Sequence, residues 1–224
     1  MKKFFSTVAL GALLAVGFTP NASATILTLA LWDTINPLIT VGDNLAGDSN
    51  PTVGAITYIG AVGLWSVNVT TGLGDPVLGS STAPHLDLNS VNFGVGELRM
   101  ALSQQGNSGP DPVSFTLDIG GTVSGGGSLD ARWCVDPADG AFGCLGLTPD
   151  LGPFGPGAFA GSGTETFTNP GDGVYSLALG IRLIHSTLGV SSYDADLQGV
   201  PEPGTYALMG AGLIALAAIR RRKA

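Results

Sequence analysis

Two cysteines, two histidines and a set of carboxylates are the side chains of this sequence that could bridge, shuttle protons or hold a metal. Cys134 and Cys144 are the only cysteines, with nine residues between them. A redox pair favours the tighter C-x-x-C spacing, and a zinc site needs more ligands than two thiolates, so in an exported chain the pair reads as a structural disulfide. In the chain-entropy view, closing about ten residues stabilises a fold by roughly 2.5–3 kcal/mol.

His85 and His185 are the only histidines, a hundred positions apart, with no H-E-x-x-H or H-x-H pattern nearby. A surface or strand-end position is the default for each. Asp43, Asp48 and Asn50 share one loop, while Asp136 with Asp139 and Asp194 with Asp196 form pairs. None follows the calcium-loop spacing, and aspartate is a common turn former, so solvated turns are the expected role. Ser108 lies in Gly-Asn-Ser-Gly-Pro, where Pro110 replaces the last glycine of a nucleophile elbow. Gly125, Gly126 and Gly127 open no helix and precede no lysine, so they suit a turn and not a phosphate loop. Asn68-Val69-Thr70 fits a glycosylation sequon but falls inside a predicted strand. No catalytic residue, cofactor or metal ligand is therefore assigned from sequence.

The elements that would carry these residues are strands. Of 224 residues, 35 are glycine, 14 proline and only 12% charged, a composition rich in turns and poor in the residues that cover exposed helices. Period-two alternation is clear at residues 65–70, 98–102, 113–119 and 175–183, and weaker at 26–32, 55–59, 86–93 and 190–197. Alternation breaks at residues 104–111 and 149–163, which are expected to be loops. The predicted fold is all-β: an antiparallel β-sandwich, with the jelly roll as one form of it, flanked by an N-terminal signal helix and a C-terminal hydrophobic helix.

Charge is segregated along the chain. Residues 25–200 hold sixteen Asp or Glu against Arg99, Arg132 and Arg182 and no lysine, a net charge of −13. Such a surface repels phosphate backbones, which excludes nucleic acid as a partner. The other six basic residues sit at the two ends. Lys2 and Lys3 precede an apolar run at residues 4–18, a break at Pro20 and the small-x-small site Ala22-Ser23-Ala24. That order is a cleaved secretory signal, with the mature chain starting at Thr25. At the other end, Pro201-Glu202-Pro203 precedes an apolar run at residues 205–219 and then Arg220, Arg221, Arg222 and Lys223. Fifteen helical residues reach about 22 Å, short of a ~30 Å hydrocarbon core, and the four cations fix that end in the cytoplasm. An ordinary permanent membrane anchor would satisfy bilayer physics equally well.

The order of Val200-Pro201-Glu202-Pro203-Gly204-Thr205, an apolar helix and a terminal arginine cluster resembles the PEP-CTERM sorting tail over about the last 25 residues. The resemblance implies retention at the inner membrane until an exosortase acts near Pro201, Glu202 and Pro203 and passes the body outward. The expected organisation is a signal peptide at 1–24, a body at 25–199 and a sorting tail at 200–224. Signal peptidase, exosortase, the inner membrane before processing and exopolysaccharide are the expected partners. The leading functional expectation is a noncatalytic envelope or extracellular-matrix protein. A secreted carbohydrate-active enzyme would instead require two carboxylates, or one with His85 or His185, to meet in a groove lined by Trp65 or Trp133. A carbohydrate- or calcium-binding module is the third expectation.

Overall fold

In the computed structural model, residues 25–108, 113–143, 150–168, 173–200 and 210–214 are described. They contain eleven strands, every pairing is antiparallel, and all eleven belong to one hydrogen-bonded system. Residues 210–214 form about one helical turn. Among the described residues no helix is long and apolar enough to cross a membrane. The expected signal helix and most of the C-terminal apolar run lie outside the described residues.

Two strands organise the rest. β6 (Ala83–Asn107, 25 residues) and β11 (Tyr175–Val200, 26 residues) run side by side along nearly their whole length. The first half of β6 pairs with β4 (Trp65–Leu73), which pairs with β3 (Ala55–Val62), while the second half of β11 pairs with β7 (Val113–Val123) and so with β10 (Gly157–Phe167). This gives a first sheet in the order β3-β4-β6-β11-β7-β10. The other halves of β6 and β11 pair outward with β1 (Ile26–Asp33) and β2 (Ile39–Gly42) on one side, and with β8 (Ser128–Asp136) and β9 (Asp150–Phe154) on the other. The second sheet is therefore β2-β1-β6-β11-β8-β9. A short β5 (Gly79–Ser80) folds back onto the start of β6.

The two halves close on each other. Even residues of β6 point inward all along it, from Leu86, Leu88, Ser90 and Asn92 in the first sheet to Leu98, Met100 and Leu102 in the second. Odd residues of β11 do the same, from Leu177, Leu179, Ile181 and Leu183 to Tyr193, Ala195 and Leu197. Tyr193 Oη of the first sheet donates to Met100 Sδ of the second at 3.3 Å, which ties the layers across the core. Each buried Leu, Ile or Phe contributes on the order of 1.5–3 kcal/mol. The result is the expected antiparallel β-sandwich, built by folding one sheet over itself.

The fold line lies where the β6–β11 register slips between His185 and Gly189. His185 is buried there, against the default surface expectation. Its Nδ1 is 3.0 Å from the Gly94 carbonyl oxygen, its Nε2 is 2.6 Å from Ser191 Oγ, and its ring lies 4.7 Å from that of Trp65. Gly94 has no side chain because the Trp65 indole fills that space: a Cβ on Gly94 would lie 2.5 Å from it.

Four candidate strands from the sequence turn out to be two. The segments at 86–93 and 98–102 are continuous in β6, and those at 175–183 and 190–197 in β11. The loop expected at 149–163 is corrected: β9 and most of β10 occupy it. Its glycines disguise the alternation, since a Cβ on Gly161 would lie 2.5 Å from Phe154 and one on Gly163 3.0 Å from Trp133. Aromatic rings of the opposite sheet stand where side chains would otherwise point. Likewise the expected break at 104–111 begins late, because β6 continues to Asn107.

Substituting Gly94→Ala should overpack the Trp65–His185 corner and cost about 1–3 kcal/mol of stability. Urea unfolding measures this, and an unchanged midpoint would contradict the tight corner.

Candidate functional site

Antiparallel register places charged residues on the two outer faces in different ways. On the first sheet, Asp87 of β6 stands opposite Asp196 of β11, which stands opposite Asp118 of β7, and Asp194 lies two residues along β11. Like charges directly opposed on neighbouring strands destabilise a sheet. Three contacts moderate this. His85 Nε2 lies 2.8 Å from Asp196 Oδ1, Thr71 Oγ1 donates to Asp87 Oδ1 at 3.4 Å, and Asp87 shares a hydrogen bond with Asp194. Partial burial, with the charge of Asp194 next and that of Asp196 behind it, pushes the Asp87 carboxyl up to about 7. Asp118, Asp194 and Asp196 line an open groove of about 740 Å³ floored by Gly120 and Gly161.

On the second sheet the register produces the opposite charge. Trp32 of β1 is opposite Arg99 of β6, Arg99 is opposite Arg182 of β11, and Arg182 is opposite Asp130 of β8. In the next row, Gly180 of β11 stands between Ala101 of β6 and Arg132 of β8. All three arginines of the body thus meet on one outer face. With Trp32 and Gly180 they line a cavity of about 200 Å³. Arg99 Nε donates to Glu97 Oε1. Arg182 Nε is 3.7 Å from Asp130 Oδ2 and 3.9 Å from Glu97 Oε2, in ion-pair range but beyond a hydrogen bond, and that nitrogen is buried without a hydrogen-bond partner. A second, mostly apolar cavity of about 350 Å³ lies on the other side of Trp32, against Leu38 and Phe142.

The segment carrying Phe142 is held against this same face. Ser176 Oγ donates to the Gly140 carbonyl at 2.6 Å, Gln105 Nε2 to the Asp139 carbonyl at 2.6 Å, and Gly106 N to Asp139 Oδ1 at 2.9 Å. Cys134 is buried beneath it beside Ala178, and is not a free thiol. Cys144 lies outside the described residues.

The other residues singled out from sequence have structural surroundings. Asp48 Oδ1 accepts from the backbone N–H of Asn50 and Thr57, and Asp43 Oδ2 from that of Gly54, so these aspartates tie the 43–54 turn to β3. Asp136 caps Ala138 N. Gly125 and Gly126 both take positive φ in the turn between β7 and β8, a conformation glycine adopts without steric cost. Carboxylates converge with His85 at a groove whose lining includes neither Trp65 nor Trp133; both tryptophans are core residues, 2% and 3% exposed, and Trp65 also borders a separate cavity of about 420 Å³ with Asp33 and Glu97. The half-exposed tryptophan is Trp32, among the arginines. Ala22, Ser23, Ala24, Pro201, Glu202, Pro203, Arg220, Arg221, Arg222 and Lys223 all lie outside the described residues.

The Asp87 cluster makes stability fall with pH. Below about pH 4 the Asp87 carboxyl is protonated in both folded and unfolded chains. Between there and about 7 the folded chain keeps a proton that the unfolded chain has lost, so its stabilising contribution disappears as pH rises through that window. Asp87→Asn should flatten this part of the thermal-stability profile and raise the unfolding midpoint at about pH 8. Profiles that superpose would contradict the cluster's electrostatics.

The last rungs of β11 pair Gly199 with Phe115 and Val200 with Ser114, and the chain then enters Pro201, which has no N–H to continue a ladder. Residues 199–223 match the PEP-CTERM protein-sorting motif. No curated protein sequence is similar to the chain. Among solved structures, that of TmCBM61 in complex with beta-1,4-galactotriose is similar over 62% of this chain and 88% of that one, at 11% identity and a TM-score of 0.29. A likeness that slight carries no argument. The chain thus carries, at the end of its last described strand, a PEP-CTERM protein-sorting motif, which implies an exported protein sorted by an exosortase toward the cell surface.

Proposed function

We propose that the β-sandwich is a noncatalytic envelope or extracellular-matrix protein that is delivered by its tail and associates with exopolysaccharide. The observation that carries this reading is the sorting motif beginning at residue 199 while the final strand ends at Val200. Removal of the tail after Val200 would leave every rung of β11 in place. The reading includes a signal peptide at 1–24 cut by signal peptidase after Ala24, supported by the order of Lys2-Lys3, an apolar run and Ala22-Ser23-Ala24, a body at 25–199, and a tail at 200–224 that holds the precursor in the inner membrane by its apolar run and by Arg220, Arg221, Arg222 and Lys223. Pro201 and Pro203 supply no backbone N–H and disfavour the helical region for the residue before each, a backbone chemistry suited to the substrate of a protease cleft.

Cys144 is the proposed partner of Cys134. The burial of Cys134 and the absence of a free thiol among the described residues support the bridge, as does export to an oxidising compartment. It would pin the segment that carries Phe142 onto the second sheet.

Replacing both Pro201 and Pro203 with alanine should trap an uncut species in the inner-membrane fraction, while the unaltered chain reaches the surface and medium. Fractionation followed by immunoblotting measures this. A double variant distributed and sized like the parent would mean that the Pro-Glu-Pro region does not direct processing.

A further inference from the structure

We propose that the cavity bounded by Trp32, Arg99, Arg132 and Arg182 over Gly180 binds a carboxylated sugar ring, a uronate unit of a polysaccharide. The proposal rests on the polysaccharide reading above for the source of the ligand, and on the geometry for its charge. A body with sixteen carboxylates and three arginines has its whole supply of permanent cations on one outer face. Everywhere else an anionic chain meets only acidic or neutral surface, and repulsion extends over a Debye length of about 8 Å. The arginine face is where an acidic ligand gains contact at least electrostatic cost.

Chance alignment explains this placement poorly, because it opposes two guanidiniums, Arg99 and Arg182, on adjacent strands. Such a pair is unfavourable unless counter-charges hold it. Glu97 and Asp130 supply them only in part: Glu97 takes a direct hydrogen bond from Arg99, whereas Arg182 Nε has carboxylates at 3.7 and 3.9 Å and no hydrogen bond. A ligand carboxylate entering beside Arg182 would accept from a planar fork suited to it.

The remaining walls suit a sugar. Gly180, with no side chain, leaves depth between Ala101 and Arg132. The cavity of about 200 Å³ corresponds to about seven waters at ~30 Å³ each, the bulk of one pyranose ring. Trp32 offers a half-exposed aromatic plane for the ring's C–H face, and the guanidiniums around it are donors for its hydroxyl oxygens as well as its carboxylate. The apolar cavity beyond Trp32 continues the same surface, so a chain of several units would cross it.

The test uses protein purified from the envelope or medium and titrated with trigalacturonate and with its fully methyl-esterified form, by calorimetry and tryptophan fluorescence. Trp65 and Trp133 are buried, so the fluorescence change reports Trp32. Trigalacturonate should bind at least tenfold more tightly than the ester and weaken as salt is raised. Trp32→Ala and Arg182→Gln should each weaken it at least tenfold. Arg99→Gln serves if Arg182→Gln does not fold, and thermal unfolding of each variant separates lost binding from lost structure. No binding by folded wild-type protein, equal binding of the ester, or binding indifferent to these substitutions would overturn the assignment. If the protein still co-fractionates with surface polysaccharide in any of these cases, the polysaccharide reading stands and this groove is not its site. If co-fractionation also fails, both fall.

Discussion

Two strands of 25 and 26 residues cross the molecule together, and each must serve two sheets at once. That constraint shapes everything else. A ladder this long cannot stay flat and still bury a core, so it has to fold over, and the fold needs a place where the register slips and side chains are small. Gly94 and the irregularity between His185 and Gly189 are that place, and His185, on one side of the slip, closes it with hydrogen bonds to Gly94 and Ser191 on the other. Because the same inward parity persists through the bend, even in β6 and odd in β11, both halves turn their apolar faces to a common interior.

The outward parity is set by the same two strands, so the surface chemistry is a consequence of the core. Once Leu98, Met100 and Leu102 point inward, Arg99 must point out; once Ile181 and Leu183 point inward, Arg182 must point out; and the register makes them neighbours. Asp87, Asp194 and Asp196 follow from Leu86, Leu88, Tyr193, Ala195 and Leu197 in the other half. The sandwich thus carries a carboxylate face and an arginine face, separated by its own core. β11 also links the body to the sorting tail. It is the last strand among the described residues and lies at the centre of both sheets, so the sandwich is incomplete without it.

Sequence alone is enough to foresee the all-β sandwich, the outward direction of Arg99 and Arg182, and the tail, because alternation and charge segregation are local properties. It is not enough for the rest, and the reasons are physical. The two long strands look like four because Gly94, Gly96 and Gly189 interrupt the alternation at the bend. β10 looks like a loop because Phe154 and Trp133 occupy the positions its side chains would fill. β8, with Leu129, Ala131, Trp133 and Val135 inward, has a plain alternation whose recognition would have placed Arg132 outward and Trp133 in the core. Trp32 gains its meaning only through a register with Arg99, across some sixty-seven residues of chain, which no local pattern encodes.

On the proposed route, a folded, disulfide-closed sandwich passes outward once a tail beginning where β11 ends is removed. Intact mass spectrometry of the native protein from envelope and medium fractions, before and after reduction, tests it most directly. The account predicts a species that starts at Thr25, ends near Pro201 to Pro203 and gains two hydrogens on reduction. A species that retains Arg220 to Lys223 and occurs only in the inner membrane would contradict it.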